Sequence, residues 1–305
     1  MIKMNIIILG AGAIGGLYGA KLSQLNDMTL VGRKEHVERI NKYGLKVTGL
    51  EHKTYKVKAA TEIKKIKNNT LIVLTTKVHD SEKTIGQIRN LVRNDTTILC
   101  LQNGLYSENA VKKIVGNKCL VLRAVTNFGA IFLKSGVINY TNYSYTSIEK
   151  SPKSKKIAEN FIKCGLNGYI SDNIRYDMWK KLVFNCVLNP ITAILRIENS
   201  GITDKKLDPL KKLIIEECLK VAAKDGIKFK INFLKIINKE FRKSKNISSM
   251  QQDLIKGRKT EIDFLNGAVV EFGKKYGILC PVNGALTSII KQLESNERLL
   301  LDSKF

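Results

Sequence analysis

Between an apolar run at residues 6–9 and a helical pattern that begins near Ile14, the chain places Gly10-Ala11-Gly12-Ala13-Ile14-Gly15. Few features restrict a fold more. Three glycines in G-x-G-x-x-G spacing, set between a strand and a helix, permit a tight turn, a close backbone approach to a bound group, and dense packing of helix on strand. The amide groups at the helix start add partial positive charge on the side where that group would lie. A dinucleotide pyrophosphate suits this loop. A glycine-rich turn without a ligand is the simpler alternative.

The rest of the N-terminal half extends the βα pattern. Short apolar runs at 28–31, 71–75, 97–101 and 119–125 read as strands. Helical patterns at 14–25, 35–42, 81–92 and 107–115 separate them, the alternation of a mostly parallel sheet. Residues 128–133 and 137–141, split by Lys134-Ser135-Gly136, read as a hairpin, followed by a helix at 154–164 and a last strand at 168–171. Beyond residue 170 strand signals stop. Helices are expected at 174–189, 191–196, 207–225, 233–243, 253–256, 260–276 and 281–294. The fold class is therefore an α/β, Rossmann-type N-terminal domain over 1–170 and an all-α C-terminal domain over 171–305.

Composition narrows the function classes. The longest apolar runs are far too short for a membrane span, and the start shows no signal-peptide pattern, so a soluble cytoplasmic protein is expected with no membrane partner. Six cysteines lack C-x-x-C spacing and three histidines form no ligand constellation, so free thiols and no metal site are expected. A net charge of +25 attracts polyanions. The lysines are spread along the whole chain, which favours a general surface excess over a nucleic-acid site.

At the end of the second strand stands Leu30-Val31-Gly32-Arg33-Lys34. An acidic residue there would accept a ribose 2′-hydroxyl, whereas the Arg33 fork suits a 2′-phosphate, so NADPH is favoured and NADH is the alternative. Lys77 follows the 71–75 strand and Gln102-Asn103-Gly104 the 97–101 strand, where ligands sit in open α/β sheets. In the helical half, Lys181, Asn185 and Asn189 are spaced i, i+4, i+8 and share one helix face, with apolar residues over most of the remainder. An ammonium and two amides so placed are costly to bury unless something polar pairs with them. Ser248-Ser249-Met250-Gln251-Gln252 contains S-x-x-Q twice, so either serine could cap a helix. Gly257 suggests a break before Thr260-Glu261-Ile262-Asp263, whose charges are expected to be mostly solvated at a helix start.

Together these segments resemble the ketopantoate reductase (2-dehydropantoate 2-reductase) family over nearly the whole chain. The pattern W-x-K-L-x-x-N-x-x-x-N-P from Trp179 to Pro190, then Ser248-Ser249-Met250, Thr260-Glu261-Ile262-Asp263 and Asn266-Gly267, is its specific part. The resemblance implies an NADPH-dependent reduction of ketopantoate to (R)-pantoate, in pantothenate and coenzyme A biosynthesis, at a cleft between two domains. It implies Lys181 as the catalytic lysine and Glu261 as a glutamate required in the active site. Burial beside a cofactor and apolar walls would lower the pKa of Lys181, and Glu261 could hold that lysine in its working rotamer. Asn185, Asn189 and Asn103 would contact substrate, and Ser249 its carboxylate. The loop from Gly10 to Gly15, Arg33, Lys77 and Asn103 would contact the cofactor. Gln102 replaces a histidine found in some members. Rival expectations are a related hydroxy acid dehydrogenase with another small keto acid, or a non-catalytic protein that binds a cofactor or nucleic acid. The sequence is compatible with a homodimer.

Overall fold

The structure, a computed structural model, describes residues 3–302, and their side chains through residue 295. The outer ends of the two expected domain ranges, at 1–2 and 303–305, lie outside the described residues. Two compact units emerge from the packing of the backbone. One runs to Gln102 and resumes from Tyr106 to Asp177; the other takes Asn103–Leu105 and the chain from Met178 onward.

The first unit contains β1 (Asn5–Leu9), α1 (Ala13–Leu22), β2 (Asp27–Val31), α2 (Lys34–Tyr43), β3 (Leu45–Gly49), β4 (Lys53–Tyr55), β5 (Lys58–Ala60) and β6 (Leu71–Leu74). It continues through α3 (Ser81–Ile88), β7 (Thr97–Cys100), α4 (Ser107–Val115), β8 (Leu120–Thr126), β9 (Gly129–Lys134), β10 (Val137–Asn142), β11 (Tyr145–Ile148), α5 (Ser154–Lys163) and β12 (Asn167–Ile170). Eight strands form the main sheet in the order β12-β11-β8-β7-β6-β1-β2-β5. Its pairs are parallel except β8 with β11. The central runs Ile-Val-Leu of β6 and Ile-Leu-Cys of β7 are buried on both faces, as a covered parallel sheet requires.

A second sheet, β4-β3-β10-β9, was only half visible in the sequence, which showed the β9–β10 hairpin but not β3 or β4. It explains α1. That helix is buried from Gly15 to Leu22 because Gly16 packs on Ile138 and Leu45 of the small sheet while Gly19 packs on Leu30 and Ile8 of the large one. Its Tyr18, fully buried, bonds the hydroxyls of Thr126 and Thr146, which draws α1 onto β8 and β11.

The second unit holds most of α6 (Ile174–Leu195), then α7 (Asp208–Lys224), α8 (Phe233–Glu240), α9 (Ser249–Ile255), α10 (Asn266–Tyr276) and α11 (Pro281–Asp302). Two expectations fail here. The helix from Ile174 does not stop at Asn189 but runs through Pro190 to Leu195. The helix expected from Thr260 begins only at Asn266, after a short 3₁₀ turn at Ile262–Phe264. Trp179, the sole tryptophan and fully buried, donates from Nε1 to Asp225 at 2.8 Å, and the Tyr276 hydroxyl donates to the same carboxylate at 2.8 Å. Among the described residues no helix is long and apolar enough to cross a membrane.

Candidate functional site

In the first unit the glycine loop joins β1 to α1 at the carboxyl end of the sheet. Gly10 adopts φ +109°, and a Cβ there would stand 2.7 Å from the Thr76 nitrogen. A Cβ on Gly15 would overlap the Gly10 carbonyl oxygen and lie 2.5 Å from Thr75 Oγ1. Gly12 differs: a Cβ there would meet nothing within 4 Å. It is the N-cap of α1, and as a glycine it has no side chain with which to bond the helix's first amides. The loop thus offers open space at the place where unpaired N–H groups begin, and a pyrophosphate fits it.

Neighbouring strand ends complete this side. Thr75, beyond β6, donates from Oγ1 to the Gly10 oxygen at 2.8 Å and lies 3.1 Å from the Leu9 oxygen, which fixes the loop. Gly32, beyond β2, lies against Ala11, since a Cβ there would be 2.5 Å from Ala11 Cβ. The next residue, Arg33, is exposed and forms the N-cap of α2. One turn on, His36 is buried and its Nδ1 accepts the Gly136 N–H at 2.9 Å; burial lowers its pKa, against a small opposing effect of Glu35. Lys77 is half-buried at the start of a 3₁₀ turn, Val78–Asp80. Gln102 explains its placement. That buried amide donates to the Thr76 oxygen at 2.9 Å, the Lys77 oxygen at 3.3 Å and Ser81 Oγ at 2.8 Å, while Arg123 holds the Gln102 carbonyl at 2.6 Å. Thr75 and Arg123 gave no signal as sequence; only their place at strand ends, beside glycine and glutamine, could have suggested them.

In the second unit Lys181, Asn185 and Asn189 fall on one face of α6 as their spacing requires, over a rise of about 12 Å. Asn189 is buried, and Lys181 and Asn185 are half-buried. Lys180 beside them is also half-buried and acts on Glu240, whose carboxyl burial raises and Lys180 lowers. Behind the stripe Cys186 is fully buried, which pushes its thiol well above the usual range, with Cys218 adding to the effect.

Asn103 and Glu261 come together. Asn103 Nδ2 donates to Glu261 Oε2 at 2.9 Å. The contact is built by the backbone: Gly104 has φ +79° and a Cβ there would stand 2.7 Å from the Phe264 oxygen, so no side chain separates the two turns. Glu261 is buried rather than solvated, contrary to the expectation for a helix start. Asp263, close by, instead pairs with Lys291 at 2.6 Å. The break before Glu261 is real: α9 ends at Ile255, Gly257 takes φ +57°, and the Arg258 N–H returns to the Asp253 oxygen at 2.8 Å.

The two serines have separate positions. Ser248 is the N-cap, its Oγ accepting from the Gln251 N–H at 3.3 Å and bonding Thr192 Oγ1 of α6 at 2.9 Å. Ser249, the first residue of α9, is exposed.

Residues 6–153 match the family model described as ketopantoate reductase PanE/ApbA, and residues 173–294 match its C-terminal counterpart. A 2-dehydropantoate 2-reductase of Pyrococcus horikoshii is 35% identical over 300 residues, covering 96% of this chain and 98% of the relative. One from Lactococcus lactis is 32% identical, covering 97% and 99%. Among solved structures, a PanE/ApbA family ketopantoate reductase from Ralstonia eutropha superposes with TM-score 0.90 at 26% identity, covering 97% of this chain and 100% of that one. A D-mandelate dehydrogenase with NADH and anilino(oxo)acetate superposes with TM-score 0.85 at 30% identity, covering 97% and 99%.

Proposed function

The chain belongs to the ketopantoate reductase family, and on that premise we propose that it reduces ketopantoate to (R)-pantoate with NADPH, a step of pantothenate and coenzyme A biosynthesis. It is an NAD(P)-dependent oxidoreductase of the 2-dehydropantoate 2-reductase type. The observation that carries the substrate side is the polar stripe of Lys181, Asn185 and Asn189, set among the apolar residues Leu182–Phe184 and Cys186–Leu188 of α6.

The loop from Gly10 to Gly15 would cradle the pyrophosphate, Arg33 would take the 2′-phosphate, and Lys77 and Asn103 would lie toward the nicotinamide. When bound, the reduced nicotinamide supplies the hydride that reaches the keto carbon. As that carbon is reduced its oxygen gains negative charge. Lys181 stabilises this oxygen and donates the proton that turns it into the product hydroxyl. The amine left behind regains its proton from solvent. Asn185 and Asn189 hold the substrate's oxygens by hydrogen bonds, and the exposed Ser249 hydroxyl receives the carboxylate. Glu261 acts by fixing Asn103: it engages one amide hydrogen, which sets the orientation of the rest of that side chain.

Loss of near-ultraviolet absorbance of NADPH on adding ketopantoate tests the activity. Lys181→Ala should lower kcat by about three orders of magnitude with the Kd for NADPH held within about twofold. Near-normal turnover in that variant removes Lys181 from the reaction. The likeness to D-mandelate dehydrogenase supports a second reading, in which the substrate is a bulkier 2-keto acid. A higher kcat/KM for phenylglyoxylate than for ketopantoate decides for it.

A further inference from the structure

Pro190 lies inside α6, and proline has no N–H to give the carbonyl four residues back. That carbonyl belongs to Cys186, and both residues are buried. Left alone, a buried C=O without a donor is destabilising, and helices commonly end or kink there. Here a side chain from a distant helix supplies the missing donor. Asn266, fully buried at the start of α10, donates from Nδ2 to the Cys186 oxygen at 3.1 Å.

The same Nδ2 donates to Asn283 Oδ1 at 2.9 Å, and Asn283 Nδ2 donates to Glu217 Oε2 at 2.7 Å. Glu217 also accepts the N–H groups of Val282 and Asn283 at the start of α11, each at 2.9 Å. Two acceptors on one nitrogen leave the amide of Asn266 a single orientation, and its Oδ1 is buried with no hydrogen-bond partner among the described residues. The residue is used for its donors alone. What those donors hold is the turn that starts beside Asn185 and carries Asn189.

We propose that Asn266 is a positioning residue for the keto acid site: it replaces the helical hydrogen bond that Pro190 removes, and so sets the turn that presents Asn185 and Asn189. This rests on the proposed reduction, in which those two asparagines bind the substrate. Pro190 and Asn266 thereby form a unit. A proline opens the helix at the stripe, and an asparagine from α10 closes the opening in one defined geometry.

A double-mutant cycle tests the link, because Pro190→Ala restores an N–H at residue 190. Wild type, N266A, P190A and the double variant are compared by urea unfolding through Trp179 fluorescence, by kcat and KM for ketopantoate, and by the Kd for NADPH. N266A should reduce kcat/KM by about tenfold with NADPH affinity within about twofold, and in the P190A background the same change should cost about threefold or less. N266S, which keeps one shorter donor, takes its place in the cycle if N266A does not fold. Equal effects of N266A in both backgrounds overturn the proposal, since Asn266 would then act only through Asn283. A coupling seen in unfolding but absent from kcat/KM overturns the positioning role. If wild type does not reduce ketopantoate, the proposed function fails on its own; the unfolding cycle still decides whether Asn266 answers Pro190.

Discussion

Gly12→Ala and Gly15→Ala add one methyl group to the same loop, and the surroundings give them opposite consequences. At Gly15 the new carbon overlaps the Gly10 carbonyl oxygen and stands 2.5 Å from Thr75 Oγ1. Ordinary contact is about 3.5 Å, so α1 must move outward by about 1 Å or more. Its room for that is small, because Gly16 and Gly19 already place the helix against Ile138 and Leu30. Overpacking of this kind costs about 1–3 kcal/mol, which lowers Tm by roughly 3–10 °C in a unit of this size. At Gly12 the added carbon meets nothing, and φ −76°, ψ −161° suits alanine. The lost N-cap preference costs up to about 1 kcal/mol. That methyl instead occupies the open space assigned to the pyrophosphate, and an affinity loss of about tenfold or more is expected, equal to about 1.4 kcal/mol. Thermal unfolding and NADPH fluorescence titration, run on both variants, separate the two effects. Wild-type NADPH affinity in Gly12→Ala would refute the assignment of that space. An unchanged Tm in Gly15→Ala would refute the packing argument.

Arg33→Ala should weaken NADPH by about tenfold and leave NADH within about twofold, because the side chain is exposed and its proposed role is confined to the extra phosphate; equal losses for both cofactors would count against that role. Asp225→Ala leaves the buried Trp179 indole N–H and the Tyr276 hydroxyl without their acceptor, and should cost about 2–3 kcal/mol in urea unfolding. A loss below about 0.5 kcal/mol would mean that water replaces the carboxylate. His36, with its pKa lowered by burial, is shifted toward the neutral imidazole in the folded chain. The unfolded chain therefore binds more protons, and this stability is complete above about pH 6.5 and lost as pH falls through that value toward the lowered folded one. Wild type should lose stability faster than His36→Gln between about pH 7.5 and 5.5, above the range where the carboxylates titrate. Parallel slopes for the two proteins would remove His36 from the effect.

The central strands were legible because each is a short apolar run covered on both faces, as in residues 71–74. Strands β3, β4 and β5 were not, because they are short, lysine-bearing and exposed on one side. β11 was hidden for a different reason: Thr146 and Ser147 are fully buried, and Thr146 is satisfied by hydroxyl bonds to Tyr18 and Thr126 that no local pattern announces. The helix through Pro190 was lost to a sound local rule, which a contact from Asn266 overrides. In the candidate site, helical spacing alone was enough to align Lys181, Asn185 and Asn189. The burial of Glu261 was not legible, since it follows from the close packing of Gly104 on Phe264, two segments far apart in sequence.

That packing bears on inheritance. Asn103–Leu105 fold with the helical unit although they lie in the middle of the sequence of the other. A gene split or fused at the Asp177/Met178 junction would transfer α6 from Met178 and every later helix, and with them Lys181, Ser249 and Glu261, yet leave Asn103 behind. The transplanted piece would carry a buried carboxylate stripped of its amide. Exchange of these halves between relatives is therefore constrained to partners whose loop after β7 already offers an asparagine in that place, so the two units are expected to travel through evolution together.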